Sequence, residues 1–243
     1  MYYKSKRRVF CHMLLVLVVL CMFFASPAVW ASSTGLNNIP TTDVVPKDIL
    51  VFQTWINSTA NQQTQLFTAF KYGPFEDIEV GVDWKANDKA HGHAMLQAKY
   101  AFDIDDFWRG VVGFADLSDN RVHNGEFFPF AATSYDLNIF RLHFGYAPQP
   151  HNEAFFAGID KTVLFMERNL QLKADAIHIN DKDDAKFSVG FLYEFAPANG
   201  SDQNSQSFLE NILKNIILES WVTIPTTDDI ETYTVKLNYV IKF

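Results

Sequence analysis

The sequence predicts an all-β protein: an antiparallel transmembrane β-barrel of about 12 strands, with 10 as the lower count. Three observations carry this. Short segments of alternating apolar and polar residues recur along the chain, and successive strand side chains point to opposite faces, so each segment has an oily side and a wet side. The segments run to roughly 10 residues, the length of a tilted strand crossing a bilayer. The oily side is unusually aromatic, within a chain that is 15% aromatic and holds 23 Phe. A soluble β-sandwich would show the same alternation. Full charges on the wet side of most clear strands favour the membrane, as do aromatics near strand ends (Tyr72, Trp84, Phe102, Tyr146, Phe195 and Phe243).

Residues 1–31 read as a secretory signal peptide. Lys4, Lys6, Arg7 and Arg8 form a basic start, Met13 to Phe24 an uncharged apolar stretch, and Ala28-Val29-Trp30-Ala31 a small-residue cleavage site before Ser32. The apolar run is short for a membrane-spanning helix of about 20 residues. Cleavage would remove four of the 20 Lys+Arg and none of the 28 Asp+Glu, taking the net charge from −8 to −12. It would also remove both cysteines, Cys11 and Cys21, which excludes a disulfide framework or a cysteine-based zinc site. Such acidity argues against nucleic acid and against an anionic-lipid surface binder. At 48% hydrophobic and 20% charged, the chain is not disordered.

Residues 32–47 form an N-terminal lead segment, and 48–243 the barrel. The clearest strand is the last: Tyr233, Val235, Leu237, Tyr239, Ile241 and Phe243 alternate with Thr232, Thr234, Lys236, Asn238 and Lys242. Similar alternation covers Asp77–Trp84, Leu96–Phe102, Phe140–Tyr146, Leu170–Ala176 and Lys186–Phe195, and less regular strands fit 48–57, 63–72, 108–116, 127–134, 153–160 and 216–224. Gly73-Pro74, Asp103–Asp106 and Tyr135-Asp136 read as tight turns on the periplasmic side. The longer polar connections Ala86–Gly92, Leu117–Glu126, Asn180–Asp184 and Pro225–Asp229 then face outward. Phe208, Leu209, Ile212, Leu213 and Ile216 have helical spacing, so 205–216 reads as a short amphipathic helix that could dock a periplasmic partner; a longer strand is the competing reading.

The wet faces define the candidate lumen wall: Asp77, Glu79, Asp83, Lys99, Arg141, His143, Lys173, Asp175, Lys186, Glu194, Glu219 and Lys236, with Lys242 beyond them. Mixed signs suggest ion pairs within the lumen as much as a selective channel. Between the filled eight-stranded barrel and the open sixteen-stranded one, 12 strands allow a narrow pore or a plugged barrel. Catalytic signals are weak. The carboxylates Asp77, Glu79 and Asp83 share a face but read as a solvated wall, and His143 has no serine near it in a matching pattern. His91-Gly92-His93 lacks a third metal ligand, and there is neither a nucleophile elbow nor a glycine-rich phosphate loop. The expectation is no enzyme, no cofactor and no metal.

The chain resembles bacterial outer-membrane β-barrel proteins of porin-like type. The residues that carry this are the signal peptide, the cysteine-free remainder, the Tyr72–Gly81 hairpin and the terminal strand. Tyr233, Tyr239 and Phe243 look like the signal read by the barrel-assembly machinery. Asn38–Pro46, Leu142–Tyr146 and Gly158–Lys161 resemble pieces of YjbH-like barrels, a family linked to exopolysaccharide export. The resemblance implies contact with outer-membrane lipid and either a narrow, transport-associated pore or a closed accessory barrel. A soluble periplasmic sandwich that binds a ligand is a third expectation.

Overall fold

The computed structural model describes residues 35–60, 64–86, 94–117, 127–148, 153–179, 184–197, 212–226 and 230–243. The expected signal peptide, the His91/His93 pair and most of the expected 205–216 helix lie outside them.

Twelve strands form one closed antiparallel barrel: β1 (Ile49–Thr59), β2 (Gln65–Phe75), β3 (Ile78–Lys85), β4 (Met95–Asp103), β5 (Trp108–Leu117), β6 (Phe128–Asp136), β7 (Arg141–Ala147), β8 (Ala154–Phe165), β9 (Arg168–Ile179), β10 (Asp184–Pro197), β11 (Ile216–Pro225) and β12 (Thr232–Lys242). Each strand pairs with its sequence neighbours, and β1 closes on β12 from Ile49↔Lys242 to Thr59↔Thr232. Closure leaves no edge, so the ladder bonds are satisfied within the barrel, as hydrocarbon demands.

Alternation sorts the side chains. On β10, Phe187 (51% exposed), Val189 and Phe191 face out, while Ser188 and Leu192 are buried inside. On β12, Tyr233, Val235 and Leu237 face out, while Thr234 and Asn238 are buried. The result is an apolar belt around a polar interior, the inverse of a soluble core and the arrangement a bilayer stabilises. Aromatic pairs mark both rims. Trp108 and Tyr135 meet edge-on at 6.1 Å between centroids at one end, and Tyr146 and Phe155 lie 4.8 Å apart at the other.

The first end, the turn end, carries the start of β1, the end of β12 and the tight β2–β3, β4–β5, β6–β7 and β8–β9 connections. The longer connections gather at the loop end. Two expected turns shift: Tyr135 and Asp136 end β6 and the turn follows at 137–140, and the β2–β3 turn moves too. Gly73-Pro74 lies inside β2, where a register irregularity between Tyr72 and Phe75 takes up the proline. The turn itself is Glu76-Asp77, with Asp77 at φ 62°. The expected helix reduces, among described residues, to one turn at 212–213, and Ile216 already begins β11.

Phe243 follows β12 and is 80% exposed on the outside, its amide donating to the Asp48 carbonyl at 3.1 Å. Deleting it should lower the yield of folded barrel in the outer membrane of expressing cells, scored by heat-modifiable mobility on gels. Unchanged yield would remove Phe243 from the assembly signal.

Candidate functional site

Residues 35–47 do not lie outside the barrel. They run through its lumen as a strap, entering at the turn end beside β1. At Gly73 the strap passes so closely that any Cβ there would strike the Val45 and Pro46 carbonyls. From there it climbs to a turn at 36–39, closed by a 3.1 Å bond from the Leu36 amide to the Ile39 carbonyl.

The strap is amphipathic across its width. Leu36, Ile39 and Val44 are buried in a cluster with Ala101, Val111, Phe130, Ala147, Ala154 and Phe156, inward residues of β4 to β8. Small side chains make room: a Cβ at Gly158 would collide with the ends of Leu36 and Ile39. Burying these apolar groups inside a polar lumen supplies the hydrophobic part of the strap's seat.

Polar contacts lock its lower half. The Val45 amide donates to Glu79 Oε2 at 2.9 Å. Lys99 Nζ donates to the Thr41 carbonyl at 3.3 Å and to the Asp43 carbonyl, with Glu79 Oε2 4.0 Å away. Arg141 grips Asp43 with both terminal nitrogens, Nη1 to Oδ1 at 2.8 Å and Nη2 to Oδ2 at 3.0 Å. The same guanidinium reaches Asp160 Oδ2 at 2.9 Å. A bidentate guanidinium–carboxylate pair is among the strong, directional contacts available to a chain. Burial alone would raise the Asp43 carboxyl, but the adjacent Arg141 outweighs it and holds that carboxyl well below the usual range.

Asp160 also accepts from or donates to His143 Nε2 at 2.7 Å, and Ser134 Oγ lies 2.6 Å from His143 Nδ1. The expectation that His143 has no serine near it is corrected here: β6–β7 pairing sets Ser134 opposite His143. The trio holds serine, histidine and carboxylate, yet His143 is 0% and Ser134 5% exposed beneath the strap. With no room for a substrate at Oγ, the trio acts as a bracket that orients Asp160 towards Arg141.

Along the rest of the wall the charges are paired locally. Lys71 Nζ binds Asp83 Oδ1 at 2.8 Å, and Gln97 Nε2 donates to the same oxygen at 2.6 Å. Lys173 Nζ lies 2.7 Å from Glu219 Oε2 and Lys236 Nζ 3.4 Å from Oε1. Asn169 Nδ2 donates to Glu194 Oε2 at 2.8 Å. Glu79, Asp83, Lys99, Arg141, His143, Lys173, Asp175, Lys186, Glu194, Glu219 and Lys236 all lie on inward strand positions. Asp77 does not: it sits in the β2–β3 turn and binds Arg109 Nη2 at 2.6 Å, because the strand begins one residue later. Lys71 and Gln53, both buried inward, escaped the sequence reading. Their inward neighbours Val51, Trp55, Phe67 and Ala69 are apolar, so neither strand shows a clean polar face.

Above the strap, towards the loop end, a cavity of about 900 Å³ remains. Trp55 and Trp221, the amides of Gln53, Asn57 and Gln97, and the hydroxyls of Thr59, Thr223, Thr232 and Thr234 line it, with Lys71 and Lys236 among the charged groups. Among described residues, no cluster of His, Cys, Asp and Glu fits a metal ion.

The fold is similar to that of solved porins. The KdgM porin superposes with a TM-score of 0.57 at 12% identity, covering 78% of this chain and 98% of that one. A second structure, described as the KdgM porin in complex with disordered oligogalacturonate, gives 0.55 at 12% identity over 79% and 98%. The NanC porin gives 0.51 at 8% identity over 78% and 98%. No protein-family model and no curated protein matches the sequence. At these identities the likeness is one of fold.

Proposed function

We propose that the chain is a bacterial outer-membrane channel for small polar solutes, with a lumen narrowed by its own N-terminal strap. The observation that carries this is the combination of an apolar exterior with a polar lumen that still holds about 900 Å³ open above the strap. A barrel meant only as a scaffold could fill that space with side chains, as eight-stranded barrels do. The structural neighbours, named as porins, support the reading. One of them was solved with an oligogalacturonate, so a solute of carbohydrate size is within the range of such barrels.

The strap favours a second reading, a closed accessory barrel in envelope or exopolysaccharide export, since it crosses the lumen. Planar-bilayer recording separates the two. The refolded chain from Ser32 onward should show small discrete conductance steps, and Asp43→Ala should enlarge them by freeing the strap from Arg141. Silence from both proteins would favour the closed barrel. The described residues 212–215, which lead into β11 at the turn end, support a reading in which the 205–216 segment meets a periplasmic partner.

A further inference from the structure

At the strap's tip, Asn38 is held unlike any residue below it. Its Nδ2 donates to Ser188 Oγ at 2.5 Å and to Thr223 Oγ1 at 2.8 Å, and its backbone N–H donates to Asp175 Oδ2 at 3.3 Å. The three acceptors form one transverse row on adjacent strands, with Asp175 opposite Ser188 and Ser188 opposite Thr223. Asp175 and Ser188 are 5% and 1% exposed, covered by the strap, while Thr223 and Asn38 border the cavity. The row continues round the cavity wall through Thr232 and Thr59, whose hydroxyls lie 3.0 Å apart.

The strap fills this place incompletely. Asp175 Oδ1 and, two residues before Thr223 on β11, Trp221 Nε1 are buried and have no hydrogen-bond partner. Each such group forfeits the bond it would make to water. The carboxylate oxygen lacks a donor, and the indole N–H, on a residue that borders a cavity of ligand-binding size, lacks an acceptor.

We infer that the Asp175–Ser188–Thr223 row is a binding site for an uncharged polyhydroxyl solute, and that Asn38 occupies it as a built-in substitute until such a solute displaces it. This rests on the channel reading above. Asp175 presents an acceptor, and the Ser188 and Thr223 hydroxyls, 3.1 Å apart, can each accept or donate, so a ligand that brings donors, as the Asn38 amide does, fits the row. Hydroxyl groups bring donors and can also accept from the Trp221 N–H, which the Asn38 contacts leave unanswered. An anion would face the Asp175 carboxylate. A cation would face Lys186, two residues before Ser188 on the same inward face and bordering the cavity. The indole of Trp221 adds a flat apolar surface of the kind that sugar rings cover. The strap is held by Arg141 on Asp43 and by Leu36 and Ile39 in the apolar cluster, so only the Asn38 side chain has to leave the row.

The test is calorimetric titration of the refolded chain in detergent with maltotriose, trigalacturonate and a chitosan trimer as neutral, acidic and basic probes of one length. Maltotriose should bind most tightly. Asn38→Ala should bind it about tenfold more tightly, since two competing hydrogen bonds are gone. Adding Ser188→Ala and Thr223→Val to Asn38→Ala should reverse that gain by about tenfold or more. A row that merely seats the strap would leave maltotriose affinity unchanged in both variants, and that result would overturn the site. Preference for the acidic or basic trimer would overturn the solute class. Because binding is read without current, binding in a silent barrel would remove the channel and keep the site, whereas current without binding would do the reverse.

Discussion

Arg141→Ala should destabilise the folded barrel by about 3–5 kcal/mol and enlarge its conductance. The guanidinium is the shared counter-ion of Asp43 on the strap and Asp160 on β8, with side chains 13% and 3% exposed. Removing it leaves two carboxylates facing each other in a place with little water. Losing one member of a buried pair costs far more than the pair itself contributes, because the partner stays desolvated without compensation. The strap then gains by leaving, carrying Asp43 towards solvent. A urea titration in lipid vesicles measures the first effect and bilayer recording the second. Arg141→Lys restores the charge but not the two-pronged grip, so it should fall between wild type and alanine. A loss below about 1 kcal/mol for the alanine variant would mean that the lumen is wet enough to screen these charges.

On the other face, Leu237→Arg should cost about 2–4 kcal/mol in a bilayer, as expected for arginine near the midplane of a barrel's lipid-facing side. Leu237 is 46% exposed on the outside of β12, opposite Leu218 on one side and Thr54 on the other. The same substitution at Tyr233, nearer the loop end, should cost less, because the penalty falls towards the interface. Equal refolding midpoints for wild type and Leu237→Arg in vesicles would mean that this position does not face lipid.

The barrel was legible in the sequence because lipid and lumen impose opposite demands at alternate residues, and a period of two survives in the text of the chain. All 12 strands lie where alternation suggested, including the irregular ones. Boundaries slipped where the backbone, not the pattern, decides. The β8–β9 turn is made by Met166 and Glu167, both left-handed at φ 51° and 62°, with neither the Gly nor the Asn that signals such a turn. Hence β8 runs on to Phe165 rather than stopping near Asp160. The charged wall was legible for the same reason as the strands. Its partners were not, since register sets Ser134 against His143 and no spacing within one strand reveals that. Least legible was the strap. Leu36, Ile39, Val44 and Val45 read as an ordinary mixed segment, and nothing local says that these side chains meet the inner wall of a barrel formed by residues far along the chain.

The strap leads directly into β1, and β1 is half of the seam that closes the barrel against β12. The chain must therefore lay its own leading end inside before that seam is sealed, or else feed it in afterwards through the turn-end mouth. Gly35 already lines the cavity inside the barrel, so a group joined just ahead of it would start from within the lumen. A bulky group fused there would have to be stowed in the lumen with the strap or would keep the strap out. A fusion at the C-terminal end, where Phe243 points outward, meets no such obstacle inside the barrel.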